Sequence, residues 1–519
     1  MTELRARIRK SSLHGKIMSA EETIPFFKDG MIVGFSGFGP SGDPKLIPTV
    51  LADHVEQNGL QGTLGLTLLA GASITAGIDA RWAELGITRQ RWPFTNSKGI
   101  RNRINRGELM MGDKHLGMFP QDVLYGFYSK DRGGKIDLAV IEATAITEEG
   151  GIILAAGVGA APELIQAADQ VIIELNTHLP SFEGLHDIVV AELPPGKKPL
   201  QINHVSDRIG LPYVPCPEGK IVAIVESTLP DRGNEKSPSD ESSLQIAANI
   251  LDFFRYEVKV GRLPKNLLPL QSGSGNIANA VVDGLANGSF WNLNVWSEVF
   301  QDSMLNLIDS GKLDFASCTS YTLSDVGFKK LYGNWEHYVS KVILRPSQIT
   351  NNPDPIRRLG VIAMNTGIDF DIYGHVNSSL VNGSRIISGI GGARDFLGNA
   401  YLSMVHCHSA RASKSDPTGI SSVLPFSTHV DSTEHDLDIL VTEQGLADLR
   451  GLAPRQRAQV IIDRCAHPEY RPILQEYLDR ATREGIKKGE AHEPHLLVKA
   501  FKMQQHLADH GTMKIENWD

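Results

Sequence analysis

Met31-Ile-Val-Gly-Phe-Ser-Gly-Phe-Gly39 is the stretch that decides the fold: a short apolar run enters a glycine turn, and a helical pattern follows near residues 44–52. Leu267-Leu-Pro-Leu-Gln-Ser-Gly-Ser-Gly275 repeats the arrangement, with its helix near residues 277–285. Each half then has a second glycine turn. Ala156-Gly-Val-Gly-Ala160 places Gly157 120 residues after Gly37, and Ser388-Gly-Ile-Gly-Gly392 places Gly389 116 residues after Gly273. Two turns in the same order at nearly the same spacing predict a duplicated domain. Between them, residues 136–141, 171–175 and 221–225 read as buried strands. They alternate with helical patterns such as 161–168, where Pro162 suits a first helical turn. This rhythm predicts an α/β protein of two tandem, related open-sheet domains.

With 519 residues the chain exceeds one ordinary core. The polar, turn-rich stretch LPDRGNEKSPSDESS at 229–243 reads as an interdomain linker, which divides the chain into domains 1–228 and 244–519. A composition of 41% hydrophobic and 21% charged residues is that of a globular protein, and a net charge of −9 argues against nucleic acid. Cys216, Cys318, Cys407 and Cys465 lie far apart with no C-x-x-C pair, the usage of a reducing compartment. No run of 18 apolar residues predicts a membrane span. The basic N-terminus carries Glu3 and lacks an apolar h-region. A cytoplasmic location is expected, with the mitochondrial matrix as the alternative.

Glycine turns at the carboxyl ends of parallel strands bare backbone N–H groups to a phosphate or an oxyanion, although they also serve merely to permit tight turns. Neither turn of the first half is followed by the acidic strand end of a G-x-G-x-x-G fingerprint, and G-K-[ST] is missing, which disfavours nicotinamide and nucleotide-hydrolase readings. His406-Cys-His408 and the pair His506 and His510 lack a further acid or thiol at ligand spacing, so no metal is expected. Lys98, Arg101, Arg103 and Arg106 read as a solvated helix face, with anion binding as the alternative. The segment from Arg480 onward reads as helical and peripheral, or as a dimer contact.

Phe290-Trp-Asn-Leu-Asn-Val-Trp-Ser-Glu-Val-Phe300 alternates apolar residues at Trp291, Leu293 and Val295 as a strand does. A helix is expected from about Ser297, with Phe300, Met304, Leu305 and Ile308 on its buried stripe. Glu298 then stands where strand becomes helix. By position alone it is an ordinary acid of a first helical turn.

Three runs change that reading: Gln271-Ser-Gly-Ser-Gly-Asn-Ile-Ala-Asn-Ala280, Asn294-Val-Trp-Ser-Glu-Val299 and Ser388-Gly-Ile-Gly-Gly-Ala-Arg-Asp-Phe396. With Glu142-Ala-Thr-Ala-Ile-Thr147, Arg345-Pro-Ser-Gln-Ile-Thr-Asn-Asn352 and Thr442-Glu-Gln-Gly-Leu-Ala-Asp448, the chain resembles the acetyl-CoA hydrolase/transferase family of class I CoA-transferases. It looks most like the succinyl-CoA:acetate CoA-transferase branch. The resemblance implies that Glu298 is a covalent nucleophile and that Gly392 gives a backbone N–H to an oxyanion hole. Ser274 would lie opposite, with only its backbone role carried over. It further implies that Gly273, Ser274, Gly275, Asn276, Ile277, Ser388, Gly392 and Lys414 bind coenzyme A. Asn351 would contact the acyl or thioester group. Glu443 would lie near the closed site, and Arg232 would meet a substrate carboxylate.

The implied activity is acyl-CoA:carboxylate CoA transfer between succinyl-CoA and acetate, by a ping-pong route through a glutamyl-CoA thioester. A glutamate suits it because its attacking form is expected to be ionised at neutral pH. No permanently bound cofactor is implied; coenzyme A is substrate and covalent intermediate. The expected partners are acyl-CoA, succinate and acetate, in a homodimer that contacts neither nucleic acid nor membrane. One rival reading is an acetyl-CoA or short-chain acyl-CoA hydrolase using the same glutamate. The other, from a different class, is a non-catalytic module that senses CoA or a sugar phosphate.

Overall fold

The glycine-punctuated stretch folds as a strand, β1 (Ile32–Phe35), whose four residues are all buried. That is the burial of a strand covered by helices on both faces. The computed structural model describes residues 3–233 and 238–519, so residues 234–237 of the expected linker lie outside the described residues. Two compact units result. The first comprises residues 1–235, 292–359 and 388–395, and the second residues 236–291, 360–387 and 396–519. The strands of one eight-stranded sheet all precede the boundary expected at 229–243, and those of the other all follow it. Residues 292–359 lie C-terminal to it yet pack into the first unit, because their backbone pairs with that unit's glycine turns.

In the first unit β1 is followed by helix α1 (Leu46–Gln57), β2 (Leu66–Ala70), α2 (Ala76–Glu84), β3 (Thr88–Trp92) and β4 (Met110–Met111). Next come β5 (Ile136–Ile146), β6 (Ile152–Leu154), α3 (Ala161–Ala167), β7 (Ala168–Asn176) and β8 (Ile221–Ser227). The sheet order is β4-β3-β2-β1-β5-β7-β8, with β6 antiparallel on β5 and the remaining pairs parallel. The three apolar runs read from the sequence are β5, β7 and β8. Phe35 meets Trp82 of α2 edge-on at 5.2 Å, and Trp82 donates its indole N–H to Pro48 O.

The carboxylate of Glu174 caps α1 from a neighbouring strand, accepting the backbone N–H groups of Lys45, Leu46 and Ile47 at 2.8–2.9 Å. These donors would otherwise be orphans of the first turn. Beside them the buried Lys45 ammonium lies 2.8 Å from Glu142 and 3.1 Å from Asp231, which ties the start of the expected linker to the sheet.

The glycine turns of this unit touch backbone to backbone. A Cβ on Gly42 would fall 2.6 Å from the Gly157 backbone, and one on Gly157 would fall 2.2 Å from Ser41 O. Residues 319–321 thread alongside. Val158 N–H donates to Thr319 O at 2.9 Å, Tyr321 N–H to Ala156 O at 3.0 Å, and the Ser320 hydroxyl to Phe38 O at 3.0 Å. The later strands of the unit, Leu293–Trp296, Leu313–Cys318 and Val342–Leu344, pair in parallel in the order 293–296, 313–318, 342–344.

The second unit carries a parallel ladder in the order Leu270–Ser272, Ile362–Thr366, Leu402–His406 and Ile439–Thr442, closed by antiparallel Gly445–Asp448. The turn after Leu270–Ser272 feeds helix Asn276–Asn287, the strand–turn–helix read from the repeat. The C-terminal segment from Arg480 continues helix Arg471–Lys488 and includes helix Lys502–His510, after which Trp518 is buried. No helix among the described residues is long and apolar enough to cross a membrane.

The sequence placed a helix from Ser297, but it starts at Asp302. The chain stays extended because Ser297 N–H reaches Ser317 O at 3.0 Å and Val299–Phe300 pairs in parallel with Ser320–Tyr321. Trp291 falls outside the strand and is half exposed.

Replacing Lys45 by Met would leave the Glu142 and Asp231 carboxyls buried without their cation. We expect the loss to be about 3–5 kcal/mol, seen as an earlier transition of the first unit in chemical denaturation. An unmoved transition would contradict the role given to this ammonium.

Candidate active site

Glu298 occupies the bend between Leu293–Trp296 and Val299–Phe300. Its carbonyl accepts the N–H groups of Thr319 (2.8 Å) and Ser320 (3.2 Å), so the backbone under the side chain is fixed by the strand that threads the glycine turns. Asn351 ends the helical turn Ser347–Thr350. That turn is held by Ser347 N–H to Gly159 O at 2.9 Å and by the Trp296 indole N–H to Thr350 O at 2.8 Å. The Thr350 hydroxyl lies 2.9 Å from Asn351 Oδ1, which aims the amide nitrogen the other way. There Asn351 Nδ2 donates to Glu298 Oε1 at 2.6 Å and to Asp395 Oδ2 at 3.0 Å.

Gly392 closes the site. A Cβ there would fall 1.8 Å from Glu298 Oε1 and 2.4 Å from Asn351 Nδ2, so any side chain would displace the carboxylate or the amide. Its loop is pinned within the unit: Ile390 N–H donates to Asp113 at 2.9 Å and Leu116 N–H to Gly391 O at 3.2 Å. Gly117 N–H donates to Asp395 Oδ2 at 2.8 Å. Beside Glu298, Phe38, Ala72 and Leu116 form a buried apolar cluster against which Phe94 and Val299 pack.

Part of the Glu298 side chain remains open to solvent, but the surrounding protein strips enough water to push its carboxyl up to about 7. The Asn351 hydrogen bond pulls it down and the Asp395 charge pushes it further up. The sequence-based expectation of a fully ionised glutamate at neutral pH therefore needs correction; here the acid and its anion coexist. Asp395 is itself raised by burial, opposed by Asn351, Gly117, His115 and Arg394.

Of the residues singled out from sequence, Glu298, Asn351, Gly392 and Ser388 lie in the first unit, and the first three are in mutual contact. Arg232 is also in this unit but lines a separate cavity of about 250 Å³ with Lys45, Thr75, Arg81 and Trp82. Gly273, Ser274, Gly275, Asn276, Ile277, Lys414 and Glu443 belong to the second unit. There Ser274 and Gly275 are exposed at the start of helix Asn276–Asn287, and Lys414 is exposed on its loop. Glu443 is engaged by the Ser409 N–H (2.9 Å), the Ser409 hydroxyl and the Gln444 amide (3.0 Å), which hold its carboxyl low despite burial.

Sequence reasoning missed Asp395 and Gly117. Asp395 had a signal, three residues beyond Gly392 in a quoted run; Gly117 had none. The basic run falls largely on helix Lys98–Asn105, where Arg103 and Arg106 pair with Glu108 at 3.1 and 2.6 Å as on a solvated face. Among the described residues no group of three or more His, Cys, Asp or Glu side chains is arranged to hold a metal ion.

Comparison with known proteins fits this geometry. Residues 1–226 match the acetyl-CoA hydrolase/transferase N-terminal domain and residues 327–478 its C-terminal domain. The chain is 54% identical to an acetyl-CoA hydrolase of Schizosaccharomyces pombe over 517 residues, 99% of either chain. It is 51% identical to an acetyl-CoA hydrolase of Saccharomyces cerevisiae over 519 residues, 99% of this chain and 98% of that one. In fold it is similar to RipA from Yersinia pestis (TM-score 0.68, 20% identity, 93% and 99% covered). It is also similar to a 4-hydroxybutyrate CoA-transferase from Porphyromonas gingivalis (TM-score 0.61, 18% identity, 90% and 98% covered).

If the Glu298 anion is the reactive form, kcat/KM for a thioester rises with pH through about 7. Asn351→Ala removes a donor to the anion and moves this limb to higher pH. Asp395→Asn removes a like charge and moves it to lower pH. Shifts of the same sign in both variants would refute the assignment. Gly392→Ala should lower kcat/KM about 100-fold or more by displacing the carboxylate, with the circular dichroism spectrum unchanged.

Proposed function

The chain belongs to the acetyl-CoA hydrolase/transferase family, and we propose that it cleaves acetyl-CoA through a glutamyl-CoA thioester on Glu298 that water discharges. The observation that carries this reading is the seating of one Glu298 oxygen between Asn351 Nδ2, 2.6 Å away, and the bare Cα of Gly392.

The Glu298 carboxylate attacks the acetyl carbonyl carbon, and the C–S bond breaks to give a mixed anhydride and CoA thiolate. The thiolate then attacks the glutamyl carbonyl, releasing acetate and leaving the thioester on Glu298. Each tetrahedral intermediate places negative charge on oxygen. Asn351 Nδ2, already aimed at Glu298 Oε1, and the Gly392 backbone N–H are the donors proposed to stabilise it. One such donor is worth roughly 3–4 kcal/mol. The Phe38, Ala72 and Leu116 cluster offers an apolar wall beside the carboxylate, which suits a short acyl group. Two relatives with more than half their residues identical are named acetyl-CoA hydrolases, which favours water as the final acceptor.

Transfer from succinyl-CoA to acetate is the second reading. The same thioester serves it, and a carboxylate nucleophile conserves the thioester's energy. Its dicarboxylate preference rests on Arg232, which lines a cavity apart from the Glu298 contacts. The acetyl reading therefore leads. A cytoplasmic homodimer, with coenzyme A held only as substrate and intermediate, completes the proposal.

Incubation with acetyl-CoA followed by intact-mass analysis should show a CoA adduct mapping to Glu298, and Glu298→Ala should abolish both adduct and turnover. Thiol release without added carboxylate should be rapid. If release requires acetate or succinate, the transfer reading replaces hydrolysis; full activity in Glu298→Ala would overturn both and leave the non-catalytic module.

A further inference from the structure

Asn351 presents a single amide nitrogen to two carboxyls. Glu298 Oε1 lies at 2.6 Å and Asp395 Oδ2 at 3.0 Å from the same atom, so the two acids flank one point in space. Asp395 is buried, 8% exposed, and its Oδ2 is also anchored by Gly117 N–H at 2.8 Å. Nothing in the two thioester-forming steps uses it, since neither Glu298 nor the CoA thiolate has to lose a proton to attack.

Water differs from those nucleophiles in that one respect. A carboxylate or thiolate attacks the glutamyl carbonyl as it stands, whereas water must give up a proton as its oxygen bonds to carbon. We propose that Asp395 is the proton acceptor for water in the hydrolytic discharge of the Glu298 thioester. This rests on the glutamyl-thioester reading of the site.

The charge balance of the pair supports the timing. In the free protein Asp395 faces the Glu298 carboxylate, and two like charges around one amide oppose each other. Thioester formation makes Glu298 neutral. The groups left facing Asp395 then favour its anion: Asn351 and Gly117 as donors, His115 and Arg394 as nearby positive or potentially positive charges. A base is thus released beside the electrophilic carbon when it is needed. The water O–H proton passes to Asp395 as the water oxygen bonds to Glu298 Cδ. The tetrahedral intermediate collapses with cleavage of C–S. CoA thiolate leaves and takes the proton back from Asp395. Glu298 is regenerated as a carboxyl whose remaining proton equilibrates with solvent. CoA transfer to a carboxylate bypasses the proton step, so the residue acts on hydrolysis selectively.

The test uses the purified full-length protein carrying the CoA adduct. Decay of the adduct in water is compared with its discharge by labelled acetate, which regenerates labelled acetyl-CoA. In Asp395→Asn, whose amide oxygen can still accept from Gly117 and Asn351, the ratio of water discharge to acetate discharge should fall about 100-fold. Asp395→Glu should recover part of it. A solvent deuterium isotope effect on water discharge in the parent should vanish in Asp395→Asn. Equal loss of both discharges, or loss of adduct formation itself, would overturn the inference and make Asp395 a support for Asn351. An adduct that forms normally and decays at the parental rate would overturn it while leaving the thioester reading intact. Failure of the unaltered protein to form any adduct would overturn both.

Discussion

The site depends on a run of backbone hydrogen bonds between residues that share no sequence neighbourhood. Residues 319–321 lie against the Ala156–Gly159 turn, and the N–H groups of Thr319 and Ser320 donate to the Glu298 carbonyl. Glu298 is therefore tied, through the residues that thread it, to the glycine turn at Ala156–Gly159. Because Gly157 and Gly42 meet backbone to backbone, any Cβ in that contact would push the threading strand away. The same turn anchors Asn351 through Gly159 O and Ser347. One rigid constraint thus sets the positions of both Glu298 and its hydrogen-bond donor Asn351.

Among the described residues, the groups that act on the Glu298 carboxyl are the Asn351 amide and the Asp395 carboxyl. An arginine or lysine partner would hold a buried carboxylate fully ionised and lower its basicity. The site supplies a neutral amide instead. The amide orients the carboxyl yet leaves burial to raise it to about 7. A nucleophile gains reactivity with basicity but loses ionised population as its pKa passes the ambient pH, so a value near neutrality balances the two. Lys45 shows the contrast: it sits beside Glu142 and Asp231, where the function is to hold the fold rather than to react.

Much of this was legible in the sequence. The apolar run before Gly37 and the runs that became β5, β7 and β8 announce buried parallel strands through composition alone. Glu298, Asn351 and Gly392 were singled out by their motifs, and they do meet. Three things were not legible. The helix expected at Ser297 begins at Asp302 because strand pairing with residues 317–321, distant from it in the fold's logic, overrides local propensity. That residues 292–359 pack with the first unit could not be read, since pairing with glycine turns over 130 residues earlier leaves no local signature. The raised Glu298 carboxyl follows from burial and from Asp395, neither of which a string of residues displays.

The last of these bears on chemistry as much as on structure. A glutamyl thioester is the same intermediate whether water or a carboxylate consumes it, so the motifs that identify Glu298 cannot distinguish the two fates. The distinction has to reside in a group that matters only when the attacking species carries a proton. Such a group needs to lie beside the reacting carbon and to be held as its anion more firmly in the intermediate than in the resting protein. Asp395, joined to Glu298 through the two hydrogens of one Asn351 amide, meets these requirements by geometry. The sequence matches over both domains place the chain in its family. The second carboxyl is where we propose that its preference for an acceptor is decided.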